Sequence, residues 1–171
     1  MSEPFVEESL AVLARTPASF DGLLRGLPDV WISATEGDGT WSPYSVIGHL
    51  IHCERTDWVP RMRIILEEGV ERTFDPVNRE ARGERLALGT MLDEFAELRR
   101  ENLARVRELN LGTAELEMQG MHPTLGVVTL RQLLATWTAH DLTHLIQVGR
   151  VLAKRYKEEI GPFGAFLSVM K

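Results

Sequence analysis

The sequence predicts an all-α fold, a four-helix bundle that forms a single domain over residues 1–171. Three long segments carry apolar residues at the spacing of three and four that marks an amphipathic helix, and a fourth such segment lies at the N-terminus. No stretch alternates clearly with the period of two that marks a half-buried strand. The chain has 171 residues, 44% of them hydrophobic, which is enough for one sizeable core.

The first helical segment covers about residues 3–27, with a broad apolar stripe that Thr16-Pro17 interrupts. Pro17 can begin a second helical piece because its φ angle is fixed and it has no amide hydrogen to place inside a helix.

The second helix is expected to begin at Pro43, with Ser42 as its N-cap. Its apolar pattern continues to about Glu68, and Pro60 is the expected site of a kink. Gly69 is the expected C-terminal end of this helix.

A long charged connection, Val70–Gly89, follows. So long a stretch without structure is unusual inside a domain unless it is functional or a crossover, and a four-helix bundle with a long crossover between its second and third helices would use it. Its arginines could bind an anionic substrate or a thiol cofactor, but acidic residues lie between them, which favours a solvated segment of mixed charge. These arginines are Arg72, Arg79, Arg82 and Arg85.

The third helix is predicted from a cap at Thr90 to about Leu109. One further helical turn is expected over residues 113–118, and residues 119–128 read as a loop that could carry a short hairpin.

The last helix opens with a capping box, Thr129 at the N-cap and Gln132 three residues later. It is expected to end near Glu159, because residues 160–162 are Ile-Gly-Pro.

Composition narrows the functional classes. The net charge is −6, from 19 basic and 25 acidic residues, so nucleic acid is not an expected partner. The single cysteine, Cys53, excludes an internal disulfide, and the N-terminus has no leader pattern, so we expect a cytoplasmic protein. The longest run without a charged residue, 39–53, has fifteen residues, shorter than the roughly 18 of a membrane span.

Histidines interrupt two apolar helix faces. His140 and His144 lie four apart on the last helix, so both can bind one ion from the same face. On the second helix, His49 and His52 are three apart, on or beside an apolar face. Buried imidazoles need a partner, and a metal ion shared between the two helices would supply it. Zinc or nickel suits imidazole ligands, and a three-imidazole zinc site with an open position is typical of enzymes.

Two stretches resemble the DinB-like (damage-inducible) family of four-helix-bundle proteins. The first runs from Trp41-Ser42-Pro43 through Val46-Ile47-Gly48-His49-Leu50 to Glu54-Arg55-Thr56-Asp57-Trp58, and the second is His140-Asp141-Leu142-Thr143-His144-Leu145-Ile146-Gln147. The resemblance extends over nearly the whole chain.

The resemblance implies a divalent metal ion held by His49, His140 and His144, with water or substrate as a further ligand. The wider group includes thiol-dependent S-transferases, a thiol-dependent maleylpyruvate isomerase and many proteins labelled only as metal-dependent hydrolases. It also suggests a homodimer.

The other two histidines have alternative roles. The family gives His52 no ligand role. The preferred interpretation of His52 is a partly buried or rim residue hydrogen-bonded to a neighbour, and the alternative is a fourth metal ligand or a proton shuttle. His122, in a loop with Gly and Pro, is expected to be exposed or to fix that loop, although it could also reach a pocket.

Three acidic residues near the histidines are further candidates. Asp141 points about 100° away from His140 around the helix, so a supporting hydrogen bond suits it better than metal ligation. Glu54 and Asp57 could act as a general base; the preferred alternative is a structural ion pair with Arg61 or another arginine.

Two remaining residues on these helices have competing interpretations. Trp137 could wall a pocket but is more typical of a core. Cys53 lacks the sequence context of a nucleophile, which favours a buried thiol. No HExxH, Walker, GxGxxG or GxSxG motif is present.

The sequence thus predicts a metal-dependent enzyme that activates water or a low-molecular-weight thiol against a small electrophilic substrate, as a hydrolase or a thiol S-transferase. One alternative is a non-enzymatic, stress-related protein in which the ion is structural. In another, the histidines are ordinary core residues and bind no metal.

Overall fold

The computed structural model describes residues 3–76 and 86–171, and these form the predicted four-helix bundle. The first arm consists of α1 (Pro4–Leu13) and α2 (Thr16–Leu24). The Glu3 side chain accepts a hydrogen bond from the Phe5 amide and so caps α1. The break between the two helices falls at Thr16-Pro17, as predicted.

The second arm follows a short helix, α3 (Asp29–Ile32), that the sequence did not reveal. It consists of α4 (Pro43–Thr56) and α5 (Trp58–Glu67), and Ser42 caps α4 by accepting a hydrogen bond from the Ser45 amide. The helix breaks at Asp57, before the predicted kink at Pro60, because proline cannot donate to the carbonyl four residues earlier and its ring clashes there. Gly69, at φ +62°, begins a 3₁₀ turn.

The third arm is α6 (Leu88–Glu108). The predicted cap at Thr90 is wrong: the helix starts earlier, and the cap position is Ala87, whose side chain makes no capping bond. Leu88 and Met91 are buried in the core, so packing sets this start. Residues 77–85 of the predicted crossover lie outside the described residues, including Arg79, Arg82 and Arg85.

A small hairpin leads into the last arm. After α7 (Thr113–Leu116), strands β1 (Gln119–His122) and β2 (Gly126–Thr129) pair antiparallel. The hairpin occupies the stretch for which the sequence predicts a loop or a short hairpin.

The last arm, α8 (Leu130–Lys154), opens with the predicted capping box of Thr129 and Gln132. It ends before the predicted Glu159, and α9 (Lys157–Ile160) follows. Tertiary contact accounts for the earlier end, because the Arg155 guanidinium lies over the Trp31 ring and Tyr156 packs on the same ring.

The packing of α4 positions the histidines, because this helix lies against both α6 and α8. Its buried face carries Val46, Ile47 and Leu50 into the core shared with α6 and α8. Within the described residues, no helix combines the length and the apolar composition that a membrane crossing requires.

Candidate metal centre

Three histidines meet where α4 packs on α8. His49 comes from α4, and His140 and His144 come from successive turns of α8. The Nε2 atom of His140 lies 3.0 Å from that of His49 and 3.2 Å from that of His144. One potential ligand atom from each histidine lies within 4.8 Å of the other two.

The spacing of these nitrogen atoms suits a shared cation. His140 Nε2 approaches two other ring nitrogens, and a neutral imidazole nitrogen is either one donor or one acceptor, so hydrogen bonds alone satisfy this cluster poorly. First-row divalent ions bind imidazole nitrogen at about 2.0–2.1 Å, which is compatible with nitrogens about 3 Å apart. The residues present therefore fit a divalent ion.

His144 is held in the form that a ligand needs. Its Nδ1 lies 2.8 Å from Gln147 Oε1, and since an amide oxygen only accepts, Nδ1 donates and Nε2 is left with its lone pair. Burial and the neighbouring His140 lower the pKa of His144. A neutral imidazole is the metal-binding form.

Two tryptophans form walls of the centre. Trp41 stacks nearly parallel to the His144 ring, with the centroids 5.9 Å apart, and its centroid lies 4.7 Å from that of His49. Trp58 meets His140 edge-on at 5.2 Å. The His140 side chain nevertheless remains 22% exposed, so solvent reaches the edge of the centre.

A buried arginine joins the helices beneath the histidines. Arg99 of α6 is 1% exposed and donates to Glu54 of α4 and Asp141 of α8, at 2.7 Å each. It also donates to the Leu13 carbonyl and to the Thr16 hydroxyl. This cation therefore links all four arms close to the metal centre.

Glu54 is fully engaged in this network. Besides Arg99, its carboxylate accepts hydrogen bonds from Trp137 Nε1 at 3.1 Å and from Asn102 Nδ2 at 3.0 Å. Its side chain is 1% exposed. Glu54 therefore forms a buried ion pair, the preferred prediction for this residue, with Arg99 as the arginine.

Asp57 and Asp141 are also paired. Asp57 lies 3.6 Å from Arg61, which in turn donates to the Asp75 carbonyl. For Asp141, burial alone would raise the pKa, but the nearby His140, the charge of Arg99 and the hydrogen bonds from Arg99 and Thr16 outweigh burial and lower it. Asp141 is therefore a buried carboxylate.

The remaining candidates lie around or away from the three histidines. Trp137 is buried, stacked on Trp58. His52 is partly buried, and its Nε2 has no hydrogen-bond partner among the residues described. His122 accepts hydrogen bonds from the backbone amides of the hairpin turn and contacts Phe74, so the structure does not bring it to the centre.

Cys53 lies beside His49, its Sγ 3.5 Å from His49 Nε2. Burial and the adjacent Asp57 raise the pKa of this thiol strongly, so it remains protonated. A protonated, buried thiol is a poor nucleophile.

Sequence reasoning gave no role to three residues that shape this region: Arg99, Trp41 and Gln147. A signal for Arg99 is present in the sequence. Arg99 and Asn102 continue the buried stripe of Phe95 and Val106 at steps of four, three and four. A charged and a polar residue within such a stripe indicate a buried network.

Fold and site together define a four-helix bundle with a histidine cluster suited to a divalent ion. The family model of the DinB superfamily matches residues 13–148, and the chain belongs to this superfamily. Among curated proteins, the comparison finds no match.

A solved structure has the same fold. It is YfiT from Bacillus subtilis, described as a probable metal-dependent hydrolase with an unusual four-helix bundle topology. The two chains share 21% identity with a TM-score of 0.77, over 92% of this chain and 90% of YfiT.

Proposed function

We propose that this protein is a metal-dependent enzyme whose single divalent ion, zinc or nickel, is held by His49, His140 and His144. It would activate water or a low-molecular-weight thiol against a small electrophilic substrate, as a hydrolase or a thiol S-transferase. The observation that carries the proposal is the convergence of three Nε2 atoms from α4 and α8, at 3.0 and 3.2 Å.

A bound divalent ion supplies acidification of a coordinated water or thiol at neutral pH, and it polarises the electrophile. The chain's own residues orient the ligands and limit access. Gln147 holds the His144 ring through Nδ1, while Trp41 and Trp58 shield the cluster from bulk water. The 22% exposure of His140 supports a site that a small molecule can reach.

We assign Glu54 and Asp57 to structure and not to proton transfer. Glu54 already accepts from Arg99, Trp137 and Asn102, and a general base needs an oxygen available to the reacting proton. For His52, whose buried Nε2 has no hydrogen-bond partner among the described residues, the alternative of a fourth ligand or proton shuttle is kept.

A second candidate function is a structural ion in a stress-related protein without catalytic activity. The observation that favours it is that the ligands come from two different helices, so an ion would join α4 to α8. The description of YfiT as a probable metal-dependent hydrolase favours the first candidate.

Turnover measurements separate these candidates. The zinc- and nickel-loaded chain is assayed against a panel of esters, amides and electrophilic alkyl or aryl halides, with and without an added small thiol. Turnover that needs the ion but not the thiol indicates a hydrolase, and dependence on both indicates an S-transferase. If chelation lowers the melting temperature and no substrate turns over, the structural ion is the better account.

The site variants for this assay are His144→Ala and, as a matched control, His122→Ala. His144→Ala removes a proposed ligand, whereas His122 lies at the hairpin turn, apart from the cluster. Loss of turnover in both variants alike would contradict the assignment of the site. The proposed homodimer is a separate matter, tested by light scattering of the full chain.

A further inference from the structure

Four buried side-chain polar atoms have no hydrogen-bond partner among the described residues, and two of the four lie near each other on α8. These two are His140 Nδ1 and Asp141 Oδ1, and they lie 3.9 Å from each other. Buried polar atoms are nearly always paired in folded proteins. A closing movement of about 1 Å would bring these two to the ordinary length of an N–H···O bond.

The carboxylate of Asp141 is anchored through its other oxygen. Oδ2 accepts a hydrogen bond from Arg99 Nη1 at 2.7 Å and another from the Thr16 hydroxyl at 2.5 Å. Both partners are buried and come from other helices. Rotation of the carboxylate would break these bonds, so Oδ1 stays directed toward His140.

A carboxylate oxygen facing Nδ1 decides which nitrogen of His140 carries the proton. Asp141 Oδ1 accepts and cannot donate, so a neutral His140 is stable there only with its hydrogen on Nδ1. Its Nε2 then presents a lone pair toward the Nε2 atoms of His49 and His144. Metal-ligating histidines are commonly oriented by such a carboxylate.

We propose that Asp141 is a positioning residue that fixes the ring and the tautomer of His140 through an Nδ1–H···Oδ1 hydrogen bond, with Arg99 and Thr16 holding the carboxylate in place. That this arrangement directs the Nε2 lone pair of His140 to a metal ion rests on the proposed function. The hydrogen bond itself does not, and it can be tested without metal.

The first test needs no variant. Histidine side chains of the full chain, ¹⁵N-labelled and treated with a chelator, are examined by long-range ¹H–¹⁵N NMR at a pH where His140 is neutral. The expected spectrum shows His140 protonated at Nδ1 and bare at Nε2. Protonation at Nε2 would overturn the proposal, whatever the metal measurements give.

The second test compares Asp141→Asn with Glu54→Gln, matched because each removes one carboxylate from the same arginine at the same distance. Zinc affinity is measured by competition with a chromophoric chelator. Asp141→Asn is expected to weaken zinc about 10–100-fold, while Glu54→Gln stays much closer to the wild-type affinity. Equal weakening in both variants would overturn the positioning role.

The two tests keep this proposal apart from the proposed function. A wild-type chain that binds no zinc contradicts the metal centre, but the tautomer of His140 still decides the role of Asp141. If Asp141→Asn fails to fold, the wild-type spectrum remains the deciding measurement.

Discussion

Replacement of Arg99 by methionine tests the buried network at its centre. Arg99 is 1% exposed and faces two carboxylates, Glu54 and Asp141, whose side chains are 1% and 0% exposed. Arg99→Met keeps an unbranched stem in place of the aliphatic part of Arg99 but leaves both carboxylates buried without a cation. Removal of one partner from a buried ion pair costs about 3–5 kcal/mol. The typical stability of a domain is about 5–15 kcal/mol, so a large share of it should be lost.

The assay is urea denaturation at pH 7, followed by tryptophan fluorescence. Arg100→Met is the matched control, because Arg100 is the next residue on α6, is 68% exposed and pairs only with Glu97 among the described acidic side chains. Its loss is expected to cost much less than the loss of Arg99, because exposed ion pairs contribute little to stability. The triple variant Arg99→Met, Glu54→Gln, Asp141→Asn should recover part of the stability, since it removes the uncompensated charges.

Two outcomes would refute this reasoning. One is a loss in Arg99→Met no larger than the loss in Arg100→Met. The other is a triple variant less stable than the single variant Arg99→Met, because the carboxylates would then not be the source of the cost.

Two further predictions concern other parts of the fold. Arg150 and Lys154 lower the pKa of Glu36 from 4.5 to about 2. This shift corresponds to about 3 kcal/mol of stability. Because Arg150 is 42% exposed, solvent screening reduces the expected contribution to about 1 kcal/mol. Because the pKa of Glu36 is lowered in the folded protein, this stability is present above pH 4.5 and is lost as pH falls toward 2. The cost of Glu36→Gln, measured by urea denaturation, should therefore shrink by more than half from pH 7 to pH 3. An equal cost at the two pH values would contradict this prediction. Gly120→Ala should lower the free energy of unfolding by about 1–3 kcal/mol, because a Cβ there would lie 2.7 Å from Ile65 and 2.9 Å from Phe74. Gly149→Ala, with no atom within 4 Å of its Cβ, should be neutral or stabilising, and equal losses in thermal melts of the two variants would refute the steric argument.

Local signals in the sequence predicted most of the fold. Ser42 before Pro43 and the capping box at Thr129 each mark a helix start that the structure confirms, because these caps depend on residues three positions apart. The start at Thr90 was wrong because the burial of Leu88 extends α6 backward. The end of α8 depends on contacts with Trp31, which no local pattern encodes.

Local spacing in the sequence also predicted part of the candidate site. Spacing placed His140 and His144 on one face, whereas the choice of His49 as the third ligand came from the resemblance to the DinB-like family. The structure brings these three histidines together. The partner of Glu54 could not be chosen from the sequence, because Arg99 lies 45 residues away and reaches it only through the tertiary fold. The close approach of Asp141 to His140 depends likewise on Arg99 and Thr16 from other helices.

Metal analysis of the full chain, purified without an affinity tag, tests the central claim most directly. Mass spectrometry of the metal content is expected to find about one zinc or nickel ion per wild-type chain, the stoichiometry of a three-histidine site. The same content is expected in His122→Ala, and a large loss in His144→Ala. Negligible metal in all three proteins, or equal metal in His144→Ala and wild type, would contradict a metal centre at His49, His140 and His144.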